Sequence, residues 1–363
     1  IVAIVLQLAL IVFMFMFSWI AAAIAFAWVG AGLLVHKFYA SKRFREKEIT
    51  PIVASAMPQL DRRRFSVLVP VANPERSEAL LRVAKGLLAV EPGDLLIAHV
   101  ITVPDALPVS VGRDFIDDTR PLLDAVSAQA EALGMVPNTI VRVGHRPADA
   151  IVDTVQESHS HFVIMGWAGR SHDPRTTIGS TIDRIIKDAN ANVIIVRGDV
   201  EIPARRILVP VQHPQHGHLV AQLAAAMAED EDSYIRLLHV VDPNTSPSER
   251  AQRAADIREA VRAASGIEEL TEDGSQRECR FHIRIEAGDV VETIAQQARD
   301  FDLVLMGTSR ETWLRRKVWG DKTALLAQRM ETPLMLVNMR SGHMKFNVSR
   351  FFQFFWDIDK IEE

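Results

Sequence analysis

The chain has one cysteine, no excess of basic charge and, through its first 36 residues, no charged side chain at all. A lone thiol, Cys279, makes no internal disulfide and has no companion at metal-site spacing, as expected in a reducing compartment. A formal net charge of -5 supplies no global basic field, so composition argues against a nucleic acid as partner. No Ser/His/Asp set or carboxylate pair stands in a recognisable local context, so no catalytic constellation is found and an enzyme is not expected. His213, His216 and His218 crowd one stretch without a nearby Cys or carboxylate, so a solvated loop is expected there rather than a metal site. His159 and His161 are expected at the surface and at a strand edge.

What is present begins with a membrane-like run. From Ile1 to Val35 only Gln7 and Ser18 are distinctly polar, and the first charge is Lys37. A helix of that length would extend about 50 Å at ~1.5 Å per residue, whereas a bilayer core of about 30 Å needs about 20 residues. The expectation is therefore a transmembrane segment over residues 1–36 holding two helices, a truncated one ending near Met14 to Phe17 and a second from about Ser18 to Val35, in a chain cut from something longer. A cleaved signal peptide has an apolar region of only about 7–15 residues, too short to account for this run. Lys37, Lys42, Arg43, Arg45 and Lys47 follow in a basic juxtamembrane linker, residues 37–61. Basic residues collect on the cytoplasmic side of a span, so everything after about residue 37 is expected in the cytoplasm of a multi-pass protein of the cell membrane.

The remaining sequence repeats itself at a spacing of about 140 residues. Leu68-Val69-Pro70-Val71 recurs as Leu208-Val209-Pro210-Val211, His99-Val100 as His239-Val240, Met165-Gly166 as Met306-Gly307, and Gly179 as Gly320. Each unit alternates short apolar runs with amphipathic stretches, the pattern of parallel strands buried on both faces between helices. Strands are expected at Phe65–Val71, Asp94–Thr102, Thr139–Val143, Phe162–Met165 and Asn192–Val196, then at Ile207–Gln212, Tyr234–Val241, Arg280–Ile285, Leu303–Met306 and Leu334–Val337. The fold class is α/β: two tandem doubly wound parallel five-stranded sheets, over residues 62–200 and 203–340. In such sheets a ligand binds where the strand order reverses, at the mouths of strands one and four. The apolar fifth strands are bare edges in each unit and are expected to lie side by side.

One of those mouths carries a glycine pattern. The fourth strand of the first unit runs into Gly166-Trp167-Ala168-Gly169, and nine residues later Gly179-Ser180-Thr181 opens a helix. Glycines let backbone N–H groups approach an anion, and a helix N-terminus adds unpaired donors and a favourable dipole. The plainer alternative is a tight turn at Gly166 and Gly169 with Ser180 as a helix cap.

With these residues in place, 65–198 and 205–340 each resemble a universal stress protein domain, whose nucleotide-binding members carry Gly-x2-Gly-x9-Gly-Ser/Thr between strand four and helix four. The resemblance implies an adenine nucleotide, ATP or AMP with a cyclic dinucleotide left open, held by Val71, Ala72, Val100, Gly166, Gly169, Gly179, Ser180 and Thr181. It places the base at the backbone of Val100, and it puts Ala72 where the family's nucleotide binders have an Asp, with Asn73 as a partial replacement. In the second unit Arg310 replaces the middle glycine, Asp321 the hydroxyl and Gln212 the family's Asp, so that unit is read as a structural repeat with a degenerate site.

Gln7 to Ile11, Ser18 to Ile20 and Gly30 to Lys37 resemble the last two helices of amino acid, polyamine and organocation permeases, with cation-chloride cotransporters as a rival of comparable plan. The function implied is the cytoplasmic regulatory region of a secondary transporter, with the lipid bilayer and an adenine nucleotide as partners and a homodimer formed through transporter and tail. The alternative is an assembly module that binds no nucleotide. The aromatic tail over 341–363, with Phe351, Phe352, Phe354, Phe355 and Trp356, is read as a docking segment, with a disordered tail as the other reading.

Overall fold

A computed structural model describes residues 27–30, 52–55, 64–167, 179–211, 214–228, 233–265, 270–272, 281–309, 325–327 and 329–339. The chain divides into two units, residues 1–49 and 50–363. In the first, residues 27–30 are helical. No helix among the described residues is long and apolar enough to cross a membrane, and the spans expected over 1–36 otherwise fall outside the described residues.

The second unit is built on one sheet. Its strands are β1 (Ile52–Ser55), β2 (Phe65–Pro70), β3 (Gly93–Thr102), β4 (Pro137–Gly144), β5 (Phe162–Gly166) and β6 (Asn192–Arg197), then β7 (Arg206–Pro210), β8 (Tyr234–Val241), β9 (Leu270–Glu272), β10 (Phe281–Ala287), β11 (Leu303–Ser309) and β12 (Leu334–Met339). Helices α1 (Ser77–Val90), α2 (Ile116–Ala132), α3 (Pro147–Ser158) and α4 (Ser180–Asp188) belong to the first repeat, and α5 (Pro214–Met227), α6 (Pro247–Ser265) and α7 (Val290–Ala298) to the second.

The strand order is β1-β4-β3-β2-β5-β6-β12-β11-β7-β8-β10-β9 in a single 12-stranded sheet. Within each repeat the five expected strands run parallel in the doubly wound order three-two-one-four-five. The two five-stranded sheets become one through the union of their fifth strands, which lie side by side as expected. β6 and β12 pair antiparallel, Ile194 opposite Val337 and Val196 opposite Met335, because each edge is apolar and an unpaired apolar edge gains by finding another. β1 lies inside the expected basic linker and caps the outer edge of β4, antiparallel. β9 was not expected either and adds to β10. His216 and His218 fall within α5 rather than in a loop. Gln212, His213, Cys279, Arg310, Gly320, Asp321 and the tail from residue 340 onward lie outside the described residues.

The core divides by sheet face, not by repeat. One face buries Val67, Val69, Leu81, Ile194 and Ile207 with Met335 and Val337, and the other buries Leu68, Ile185, Val193 and Ile195 with Leu334 and Leu336. Alternation along β6 and β12 sends successive side chains to opposite faces, so both cores run unbroken through the seam. Helices join across it as well: a Cβ at Gly86 of α1 would stand 2.9 Å from Met227 Sδ of α5.

Candidate functional site

The reversal of strand order falls between β2 and β5, and the chain ends of these two strands frame a cleft of about 1000 Å³. Val71, Ala72, Val100, Gly166 and Thr181 line it, so five of the eight residues expected at the site are brought together. Gly179 and Ser180 are adjacent in the chain at the start of α4, and Gly169 lies outside the described residues.

The rim after β2 is held by short hydrogen bonds. Val71 N donates to Ala98 O at 2.8 Å, and His99 Nδ1 sits 2.9 Å from Val71 O. The second repeat copies this brace with His239 Nδ1 2.7 Å from Val211 O. The recurring histidine therefore fixes the exit of strand one against strand two, a structural role that its repetition signals. Asn73 occupies the position next to Ala72 and is committed locally, its Oδ1 accepting from Glu75 N at 3.0 Å. It caps the turn Pro74–Arg76 that leads into α1, so its carbonyl oxygen is already engaged. Buried Ser77 carries a hydroxyl 2.6 Å from both Pro74 O and Gln129 Oε1, which pins that turn to α2.

On the opposite rim, β5 ends at Gly166 and Trp167 N donates to Val196 O at 2.8 Å, keeping the first step of the loop in line with β6. A Cβ placed on Gly166 would find nothing nearer among the described residues than Leu80, 3.9 Å away, so these residues leave room on the cleft floor there. Gly179 caps α4 at φ 141°, ψ 148°, a conformation essentially restricted to glycine. That geometry turns the chain so that α4 begins beside the cleft, with Thr181 in its wall. The first four N–H groups of a helix have no partner within it, which makes this end a site for negative charge.

The second repeat differs at the same place. Gly307 matches Gly166 and Val220 matches Leu80, yet Val220 Cγ2 stands 2.3 Å from where a Gly307 Cβ would be. α5 thus stands closer to β11 at this point than α1 does to β5. The degeneracy read from Arg310 and Asp321 falls on residues outside the description, whereas this close approach rests on described ones.

Sequence reasoning missed several cleft residues. Thr102, Pro147 and Ile151 contribute wall, and Arg197, Gly198, Asp199 and Glu331 bring in the seam and the second repeat. A cation closing an otherwise apolar fifth strand was the available signal for Arg197. His161 is half-buried with Nδ1 accepting from Ser66 N at 3.2 Å, and burial lowers its pKa, opposed by Glu91 and aided by His159. It braces β2 away from the cleft, and exposed His159 ends α3 in the left-handed conformation at φ 51°. Among the described residues no three His, Cys, Asp or Glu side chains gather as a metal site.

The sequence model of the universal stress protein family matches residues 64–197 and 203–338. A universal stress protein from Mycolicibacterium smegmatis is 23% identical over 293 residues, 76% of this chain and 98% of that protein. The Na(+)/H(+) antiporter NhaS5 of Synechocystis is 29% identical over 198 residues, 51% of this chain and 27% of the antiporter, so the chain matches about a quarter of that relative's length. Among solved structures, a universal stress protein from Archaeoglobus fulgidus aligns with a TM-score of 0.55 at 17% identity, covering 75% of this chain and 95% of that one. The cytoplasmic domain of a prokaryotic cation chloride cotransporter aligns with a TM-score of 0.52 at 9% identity, covering 76% and 95%. Both likenesses are of fold.

Proposed function

The chain belongs to the universal stress protein family, and from that premise we propose that it is the cytoplasmic regulatory region of a secondary membrane transporter whose first repeat binds an adenine nucleotide, ATP or AMP. The observation that carries the nucleotide reading is the asymmetry between repeats: a cleft with room beside Gly166, next to a glycine-capped helix, against Val220 pressed close to Gly307. Phosphates would lie over Gly166, Gly169, Gly179 and Ser180 with the base near Val100. The site binds and does not hydrolyse.

The transporter part is supported by the antiporter relative and by the apolar run ahead of the basic residues at 37–47. The amino acid permease-like identity, the multi-pass membrane location and a homodimer through transporter and tail belong to the same proposal and rest on the sequence alone. The assembly-module reading draws less support, because the apolar edges best suited to recruiting another chain, β6 and β12, are already paired with each other.

The test is thermal unfolding of the full chain in detergent with and without nucleotide. Saturation at about 100 times Kd stabilises by about 2.7 kcal/mol, a readily measured rise in the transition. Stabilisation by ATP or AMP that is lost on replacing Gly169 with Val supports the proposal. No heat in calorimetry and no stabilisation with ATP, AMP or a cyclic dinucleotide overturns it.

A further inference from the structure

The cleft of the first repeat is not built by the first repeat alone. Glu331 lines it, and Gly198, at φ 86°, brings its turn against Pro333, with 3.4 Å between an added Cβ and Pro333 Cα. Between these contacts stands Arg197, the last residue of β6. Val196 is the register partner of Gly166, which places Arg197 one step beyond the start of the glycine loop on the adjacent strand.

The guanidinium is divided between two tasks. Nη2 donates to Met330 O of the second repeat at 2.8 Å, while Nη1 is buried and, among the described residues, has no hydrogen-bond partner. Buried polar groups are almost always paired, and an unpaired charged donor is more costly than a neutral one, so this orphan nitrogen, closed from solvent on a cleft-lining arginine, gains a partner by turning outward to an anion in the cleft. Desolvation lowers the pKa of Arg197, the sign of a cation stripped of water without full compensation. The cleft carboxylates do not supply it: Glu78 and Asp199 are drawn to Arg82, at 2.6 and 3.6 Å, and neither Glu75 nor Glu331 forms an ion pair with Arg197. At the pseudo-symmetric position the second repeat has Asn338, neutral and too short for this double reach.

We propose that Arg197 reads the anionic end of the bound nucleotide and, through its hydrogen bond to Met330, ties occupancy of the cleft to the seam between the repeats. The second repeat then acts as a wall of the first repeat's site, and ligand binding at one tightens the junction of both. This rests on the nucleotide reading above and adds the phosphate-reading residue and the coupling. A planar fork suits the task, since one nitrogen stays on a carbonyl while another meets a phosphate oxygen.

The experiment uses the full chain and three probes, ATP, AMP and adenosine, with amide hydrogen exchange over residues 330–339 as the seam readout. In the wild type, ATP is expected to slow exchange there by about threefold or more, since coupled local openings become rarer. Arg197→Met is expected to weaken ATP and AMP by about tenfold or more, leave adenosine unchanged and abolish the slowing. Arg197→Lys, which keeps the charge if the methionine variant folds poorly, is expected to retain ATP affinity within about threefold yet lose the slowing, because a point charge does not make both contacts. Wild-type chain that binds no nucleotide overturns the functional reading and this inference together. Wild-type binding with Arg197→Met unchanged for ATP, or weakened equally for ATP and adenosine, overturns the inference and leaves the functional reading standing.

Discussion

Replacing Ile194 by Asp puts a carboxylate at the centre of the seam. Ile194 is fully buried, lies opposite Val337 and packs in the core layer shared by both repeats. An unperturbed Asp titrates near ~3.9, and a carboxyl forced to stay neutral at pH 7 costs about 1.36 kcal/mol per pH unit, hence about 4 kcal/mol. Losing a fully buried isoleucine adds about 1.5–3 kcal/mol. The total, about 6–7 kcal/mol, is as large as the whole stability of many domains, about 5–15 kcal/mol. The variant should therefore unfold cooperatively across both repeats, or separate them, when the full chain is followed by thermal melting and limited proteolysis at pH 7. The charge component has its own signature: lowering the pH from 7 to 5 should return about 2.7 kcal/mol relative to wild type. Ile194→Asn, with nothing to ionise, should show no such recovery. An aspartate variant that melts within about 2 °C of the wild type would refute the seam as the element that joins the repeats.

Gly179→Val sets a β-branched side chain at φ 141° and should cost about 1–3 kcal/mol while displacing the start of α4, so both the melting temperature and nucleotide affinity should fall; unchanged values would mean that the cap geometry is dispensable. Gly307→Ala meets Val220 and should destabilise by about 1–3 kcal/mol, whereas Gly166→Ala, with 3.9 Å to Leu80, should fold normally and weaken nucleotide binding; equal melting shifts in the two would contradict the difference in room at the two glycines. Neutral His161 accepts from Ser66 N, and its pKa is lowered by burial, so its contribution to stability is complete above about pH 6.5, the unfolded value, and is lost as pH falls below it toward the folded value. Urea midpoints at pH 7.5 and 5.5 should drop more for the wild type than for His161→Phe, and an identical drop would remove His161 from the account.

Much of the fold was legible because parallel strands buried on both faces leave unbroken apolar runs. Val67 to Val69, Ile164 and Val193 to Val196 announce themselves in this way, and the recurrence of His99 and Gly166 marks the repeat. The seam was legible for the same reason, since Ile194 and Met335 have no solvent-facing role to play. β1 was hidden because Ile52 to Ser55 is short, lies within a charged stretch, and becomes a strand only through β4, far along the chain. β9 is three residues long with no alternation to read, and β10 alone defines it. The glycines of the first cleft could be read from spacing, but spacing does not express how near Val220 lies to Gly307 in the second repeat. Arg197 and Glu331 escaped because their place in the cleft depends on the two repeats meeting, which the spacing within either one does not express.

The most direct test of the central claim is the stoichiometry of ATP binding to the full chain by isothermal titration calorimetry. One site per chain, abolished in Gly169→Val, is the predicted result, because the first repeat has room beside Gly166 whereas Val220 stands close against Gly307 in the second. Two sites per chain, no binding, or one site that survives Gly169→Val would contradict it.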